Sequence, residues 1–328
     1  MESQFSNQLC GASKKYLSIG LLAALLSCGP SRGNDSQDAN GDQQTPEGSV
    51  SISGAFALYP LANVWAEEFR KEYPDIRLNI SAGGAGKGMA DVLTGATDIG
   101  MFSREITQVE KDKGLWWIAV ARDAVVPTIS DKNPLLNQLK EEGLTQKELS
   151  HMFLDDGDKR WKKSSYKINV YTRSDAAGAA DVWAQYLGGK SQEDLKGIAV
   201  YGDPGLAEAV RNDDLGIGFN NVNYAFDLNT GKKYPGIEVA PIDLNSNGTL
   251  DADEAFYQSL DSITKAIADG RYPSPPARQL YFISRGKPAD PAVLAFLKWI
   301  LEKGQDLVSK NGYVKLSTDV IDAQRQKL

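Results

Sequence analysis

Ile52-Ser53-Gly54-Ala55-Phe56-Ala57-Leu58-Tyr59-Pro60 opens the ordered pattern of this chain, and its reading decides the fold. Ser49 to Ala55 alternates as a strand does. Pro60 suits the first turn of a helix, and Leu61, Val64, Trp65 and Phe69 follow at helical spacing until Pro74 ends the run. Two later stretches repeat the design: Ser81-Ala82-Gly83-Gly84-Ala85-Gly86-Lys87-Gly88 and Arg173-Ser174-Asp175-Ala176-Ala177-Gly178-Ala179. Each joins a strand-like run to a helical pattern, so each presents unpaired backbone N–H groups at a helix N-terminus, a ready site for an anion. Ala stands where Ser or Thr hydroxyls would complete such a site.

Working outward, Ile76–Ile80 reads as a second strand, Met89, Val92 and Leu93 as a short helix stopped by Gly95, and Asp98–Phe102 as a third strand. This β-α-β-α-β opening predicts an α/β fold with parallel strands covered by helices. Leu115–Ile129 reads as one long extended segment crossing to a second lobe. Leu144–Phe153 is a helical pattern with Thr145 as its cap, Tyr166–Tyr171 a strand, and Ala180–Leu187 a helix stopped by Gly188-Gly189. Ile198–Tyr201, Gly205–Arg211 and Ile217–Phe219 continue as strand, helix and strand. Ile237–Ile242 reads as a strand, Ala255–Ala268 as a helix, Gln279–Ser284 as a strand and Pro291–Lys303 as an amphipathic helix. A folded part running from Ser49 to about Leu316 is too long for one small core, so two lobes are expected.

The ends carry different information. Lys14 and Lys15 precede an apolar run, Tyr16–Leu26, that is too short to span a bilayer, and Leu25-Leu26-Ser27-Cys28 follows. Residues 1–27 are therefore expected to be a lipoprotein signal, with Cys28 as the lipidated residue. Cys10 leaves with the signal, so no internal disulfide is expected. Residues 28–48, rich in Gly, Ser, Asn, Asp and Gln, read as a solvated tether. The net charge of −7, with no basic stripe, argues against nucleic acid.

At the three loops the chain resembles the phosphate-binding proteins of bacterial phosphate ABC importers. The first loop is similar to their Gly-Ser-Ser-Thr-Val-Tyr-Pro motif ahead of a Trp-containing helix. Asp98-Ile99-Gly100 resembles their third strand, Leu144-Thr145 to Phe153 with Trp161 a further segment, and Arg173 to Ala179 their Arg-Ser-Asp-x-Ser-Gly-Thr. Gly312-Tyr313-Val314 resembles their closing motif. The resemblance implies a two-lobe periplasmic-binding-protein fold of type II with two crossover hinge strands. It places lobe 1 at residues 49–125 and 237–328, and lobe 2 at residues 126–236. It implies a monomeric, non-enzymatic receptor, lipid-anchored at the cell envelope, that delivers phosphate or another small anion to a membrane permease.

Residue by residue, the resemblance puts the ligand at Phe56, Ala57, Ala85, Gly86, Ser103, Arg104, Arg173, Asp175, Ala177, Gly178 and Ala179. The family's hydroxyls fall on Phe56, Ala57, Ala85, Ala177 and Ala179. A hydrogen bond to a charged group contributes roughly 1.5–3 kcal/mol, so these replacements predict weaker binding of bare phosphate. They predict a roomier, less polar cleft for an anion on a larger body, gripped by Arg173 and Arg104. A sensory or adaptor protein on the same fold is the alternative reading.

A second motif is independent of the first. Asp243-Leu244-Asn245-Ser246-Asn247-Gly248-Thr249-Leu250-Asp251-Ala252-Asp253-Glu254 matches a twelve-residue calcium loop. Asp243, Asn245, Asn247, Thr249, Asp251 and Glu254 are its candidate ligands, Gly248 its turn and Leu250 its apolar position. Ile237–Ile242 and Pro241 replace the entering helix of an EF-hand, so a structural calcium is expected. Catalysis has little to build on. His151 is the only histidine, in a helical pattern, and Gly86-Lys87-Gly88 lacks the Ser or Thr of a nucleotide loop.

Overall fold

A computed structural model describes residues 46–162 and 164–328. The expected signal segment, Cys28 and nearly all of the expected tether lie outside them. The chain opens with β1 (Gly48–Gly54), α1 (Tyr59–Glu72), β2 (Ile76–Ala82), α2 (Ala85–Thr94), β3 (Ile99–Phe102) and α3 (Gln108–Asp112). Pro60 lies in the first turn of α1, and Gly95 closes α2 in the left-handed conformation. β4 (Leu115–Ser130) is a single strand of 16 residues.

α4 (Leu136–Glu142), β5 (Leu144–Thr145), α5 (Gln146–Leu154), β6 (Asn169–Arg173), α6 (Gly178–Tyr186), β7 (Ile198–Val200), α7 (Gly202–Arg211), β8 (Gly216–Asn221) and α8 (Val222–Ala225) follow. Thr145 caps α5 as expected, and the Glu148 carboxylate accepts from the Thr145 N–H in return. The chain continues through β9 (Ile237–Val239), β10 (Ile242–Asp243), α9 (Leu260–Ala268) and β11 (Ala277–Arg285). It ends with α10 (Pro291–Leu301), α11 (Gln305–Val308) and α12 (Thr318–Arg325).

Nine strands form one curled sheet in the order β2-β1-β3-β11-β4-β8-β6-β7, with β9 also on β4. β1 pairs parallel with β2 and β3, and β6 pairs parallel with β7 and β8. The link is β4: its first half pairs antiparallel with β11, and its second half with β8 and β9. Two apolar cores divide at that strand. Ile118 and Val120 belong to the core that holds Trp65, Phe282 and Phe296; Val125 and Ile129 belong to the core that holds Trp183, Phe153 and Phe219. The result is the two-lobe α/β fold, with β4 and β11 as the crossovers.

The segment expected to resume lobe 1 at Ile237 packs elsewhere. Ile237, Val239, Ile242, Tyr257, Ile263 and Tyr272 are buried in the second core, and the chain returns within β11, between Ala277 and Leu280. Amphipathic patterns of this kind fit either core; the antiparallel ladder of β9 on β4 selects the second. The expected single strand over 237–242 is broken after Val239, and β10 pairs instead with β5. The helix expected from Ala255 begins at Leu260, because the Ser259 hydroxyl accepts from the Ser262 N–H and caps it there.

Candidate functional site: the cleft between the lobes

Three turns built for close approach bring the cleft together. Gly54 ends β1 at φ +131°, where a Cβ would sit 2.4 Å from the Met101 carbonyl oxygen. The Gly54 carbonyl then accepts from Gly83 N–H (2.9 Å) and Gly84 N–H (3.1 Å), which fixes the start of α2 beside the 55–57 loop. From the other lobe, Ala177 precedes α6, and its own N–H is taken by the Gln192 side chain (2.8 Å). The N-termini of α2 and α6 thus meet, each with first-turn N–H groups that have no acceptor within the helix. Gly178 lies against Ser103: a Cβ there would be 2.5 Å from the Ser103 hydroxyl.

Eight of the residues singled out from sequence line one small space: Phe56, Ala57, Ala85, Ser103, Arg173, Ala177, Gly178 and Ala179. Ala55, Gly84, Asp203 and Asn221 line it too, beyond the residues expected from sequence. Asp203 lies in Gly202-Asp203-Pro204-Gly205, and an acidic residue in the first turn of a helix reads as an ordinary partner of the helix dipole. Gly86, Arg104 and Asp175 sit just outside. Gly86 N–H donates to the Ala176 carbonyl of the other lobe at 2.9 Å. The remaining space is about 10 Å³, room for one water. The expected roomier cleft is therefore not what these side chains build, because the Phe56 ring takes the volume that the lost hydroxyls release.

Charge in the cleft is paired from within. Arg173, on β6, donates Nε and Nη2 to Asp175 (2.8 and 2.5 Å) and Nη1 to Asp203 (2.5 Å). Burial pushes the guanidinium pKa down, but the two carboxylates outweigh it and hold it above its usual value. Asp175 also accepts from Gly202 N–H, and Asp203 from Asn221 N–H. Arg104 bridges the lobes at the rim. It is bidentate on Glu110 of its own lobe (3.0 and 2.7 Å) and reaches Asp181 of α6 at 2.8 Å. Below the floor, Arg278 of β11 pairs with Asp123 of β4 at 2.9 Å, across the two crossover strands. Burial raises the Asp123 pKa despite that partner.

The twelve-residue loop begins at Asp243, the last residue of β10. Asp243 accepts from Gly248 N–H (2.8 Å) and Asn247 N–H (3.3 Å), and Glu254 from Leu244 N–H and Asn245 N–H (2.9 and 3.1 Å). Asp243 and Glu254 are buried, and Leu250 packs against the second core. The Asn245 and Asn247 amide nitrogens both donate to Asp251 (2.8 and 2.9 Å). Among the described residues no three carboxylate, imidazole or thiol groups converge on an ion position. Filling the loop would require both carboxamides to turn their oxygens inward. His151 is exposed on α5 and pairs with Asp155 at 2.7 Å. Among the described residues no helix is long and apolar enough to cross a membrane.

Two lobes on crossover strands, with helix N-termini meeting in the cleft between them, define a solute-binding protein, a class that binds and releases its ligand rather than transforming it. The chain belongs to the PBP superfamily, whose domain pattern matches residues 39–303. Among curated proteins it is 26% identical to protein SphX of Synechococcus elongatus over 293 residues, 85% of this chain and 80% of that one. It is 27% identical to the phosphate-binding protein PstS of Bacillus subtilis over 256 residues, 76% and 81% of the two chains. Among solved structures, a substrate-binding protein from Clostridium perfringens with bound phosphate aligns with TM-score 0.67 and 23% identity. That alignment covers 82% of this chain and 100% of the other. An ABC-type phosphate transport receptor from Vibrio cholerae aligns at 0.59 and 18%, covering 81% and 100%.

Proposed function

We propose that this protein is the extracytoplasmic receptor of an ABC importer for phosphate or a phosphate-like oxyanion. The observation that carries the reading is convergence: the 55–57 loop, the N-termini of α2 and α6, and the buried Arg173 face one point between the lobes. Backbone N–H groups at that point can hold an oxyanion without a side-chain hydroxyl. The likeness to the Bacillus subtilis phosphate-binding protein supports the phosphate assignment. Closure about β4 and β11 completes the ligand's shell, and the closed form is what a permease recognises. Calorimetric titration of the purified protein with inorganic phosphate tests this. The expected result is one site per chain; silence at millimolar phosphate sinks the assignment.

Two further parts of the reading rest on sequence. Cys28 is proposed as a lipid attachment site that holds the receptor at the membrane surface. A labelled fatty acid should enter the wild-type protein in cells and not Cys28→Ala; equal labelling of both ends that idea. Residues 243–254 are proposed as a structural calcium loop, supported by the ligand spacing and by the buried carboxylates of Asp243 and Glu254.

A further inference from the structure

The pocket at the centre of the cleft is filled by the chain's own groups, one from each lobe. From lobe 2, the Asp203 carboxylate takes Nη1 of Arg173 at 2.5 Å and is itself buried. From lobe 1, the Phe56 ring lies over the same guanidinium, 5.4 Å from its centroid to Cζ. The ring meets Tyr201 and Tyr224 edge-on, with centroids 6.1 and 6.5 Å apart. Lobe 2 is shaped to receive it. Gly202 has φ +72°, and a Cβ there would stand 2.9 Å from Phe56 Cζ. The Tyr224 hydroxyl donates to the Phe56 carbonyl at 3.2 Å and ties the loop from behind.

We propose that Phe56 and Asp203 are a built-in occupant of the anion pocket, taking the volume and the positive charge that an incoming anion needs. Ligand binding is then an exchange. Asp203 gives up Nη1 of Arg173, and the Phe56 ring leaves its place between Tyr201 and Tyr224. Local charge points the same way. Arg173 and Arg278 face Asp175, Asp203 and Asp123 beneath the pocket, so the carboxylates outnumber the guanidinium groups before any anion arrives. Apparent affinity falls in proportion to the fraction of molecules holding the occupant in place. The rim contacts differ in kind: Gly86 to Ala176 and Arg104 to Asp181 lie outside the pocket, and the exchange does not require them to break. The receptor is thereby set to respond at higher ligand concentrations than one with an unblocked pocket.

The inference stands whether or not phosphate is the ligand, and two measurements keep it separate. The first is small-angle scattering of the protein without added anion, for wild type, Phe56→Ser and Asp203→Asn, each checked for native far-UV circular dichroism. Phe56→Ser removes the ring that joins the lobes, so its radius of gyration should exceed that of wild type, and adding ligand should reverse the change. The second is calorimetric titration with inorganic phosphate. Both variants should bind at least tenfold more tightly than wild type, and the double variant more tightly than either. Folded variants that scatter like wild type and bind no more tightly overturn the proposal. If no protein binds phosphate while Phe56→Ser still opens, the occupant is upheld and the ligand assignment alone fails.

Discussion

Gly86 and Ala176 meet backbone to backbone across the cleft. The Gly86 N–H donates to the Ala176 carbonyl at 2.9 Å, and a Cβ on Gly86 would stand 2.4 Å from the Ala176 methyl. Glycine is required at this point by the other lobe, since α2 itself would accept Ala.

That contact gives the first prediction. Gly86→Ala should leave the melting temperature within a few degrees of wild type, because parting the lobes relieves the strain without unfolding either core. Ligand affinity should fall by about tenfold, equivalent to ~1.4 kcal/mol. Gly86→Ala with Ala176→Gly should recover part of it. Unchanged calorimetric affinity in the single variant would show that the lobes close without this contact.

The Arg104–Asp181 pair should behave as a latch of modest strength. Both side chains are about one-fifth exposed, so solvent and salt screen them in part. Asp181→Asn should weaken ligand binding a few-fold, about 1 kcal/mol or less, and reduce its dependence on ionic strength. Affinities measured from low to high sodium chloride check this; parallel salt curves for variant and wild type would remove the latch from the account.

Calcium should act on stability rather than on the cleft. With calcium at a hundredfold excess over its dissociation constant, the folded state gains about 2.7 kcal/mol. Thermal unfolding with calcium and with a chelator should therefore differ by several degrees in wild type. The difference should vanish in Glu254→Gln combined with Asp243→Asn. Identical melts with and without the ion would leave residues 243–254 as a hydrogen-bonded turn and nothing more.

Acid should reveal Glu238. Burial pushes its carboxyl pKa up, but hydrogen bonds from Lys140 (2.7 Å) and Lys233 outweigh burial, and the net shift is downward. A carboxyl whose folded pKa lies below its unfolded value stabilises above the unfolded value, near 4.3, and loses that contribution as pH falls through the folded one. Glu238→Gln should therefore cost about 1–2 kcal/mol at neutral pH. The gap between the two melting curves should narrow steadily below pH ~4. A constant gap from pH 7 to pH 3 would contradict this.

The sequence exposes those parts of the molecule that depend on local chemistry. The cleft turns are legible because Gly at Gly54 and Gly84 permits positive φ and close approach, and because a helix pattern must follow. The α5 cap is legible in Thr145. The long crossover is legible in the unbroken extended run from Leu115. Lobe membership after Ile237 is not, because an amphipathic pattern records that a face is buried and not against what. Asp203 is hidden for a similar reason: its partner Arg173 lies thirty positions away, and only the parallel placement of β6 and β7 brings them together. Phe56 shows as a lost hydroxyl in sequence, whereas the space it fills depends on Gly202 in the other lobe.

β4 gives Ile118 to one core and Val126 to the other as one continuous strand of 16 residues, with a bulge at Val120 in its pairing with β11. The joint between the lobes is therefore a stiff ribbon and not a loose tether. Opening must twist hydrogen-bonded sheet, which pulls back, and the two halves share the fate of the strand that joins them. Heat should dissolve both lobes in one transition, and a protease should find no intact half to release.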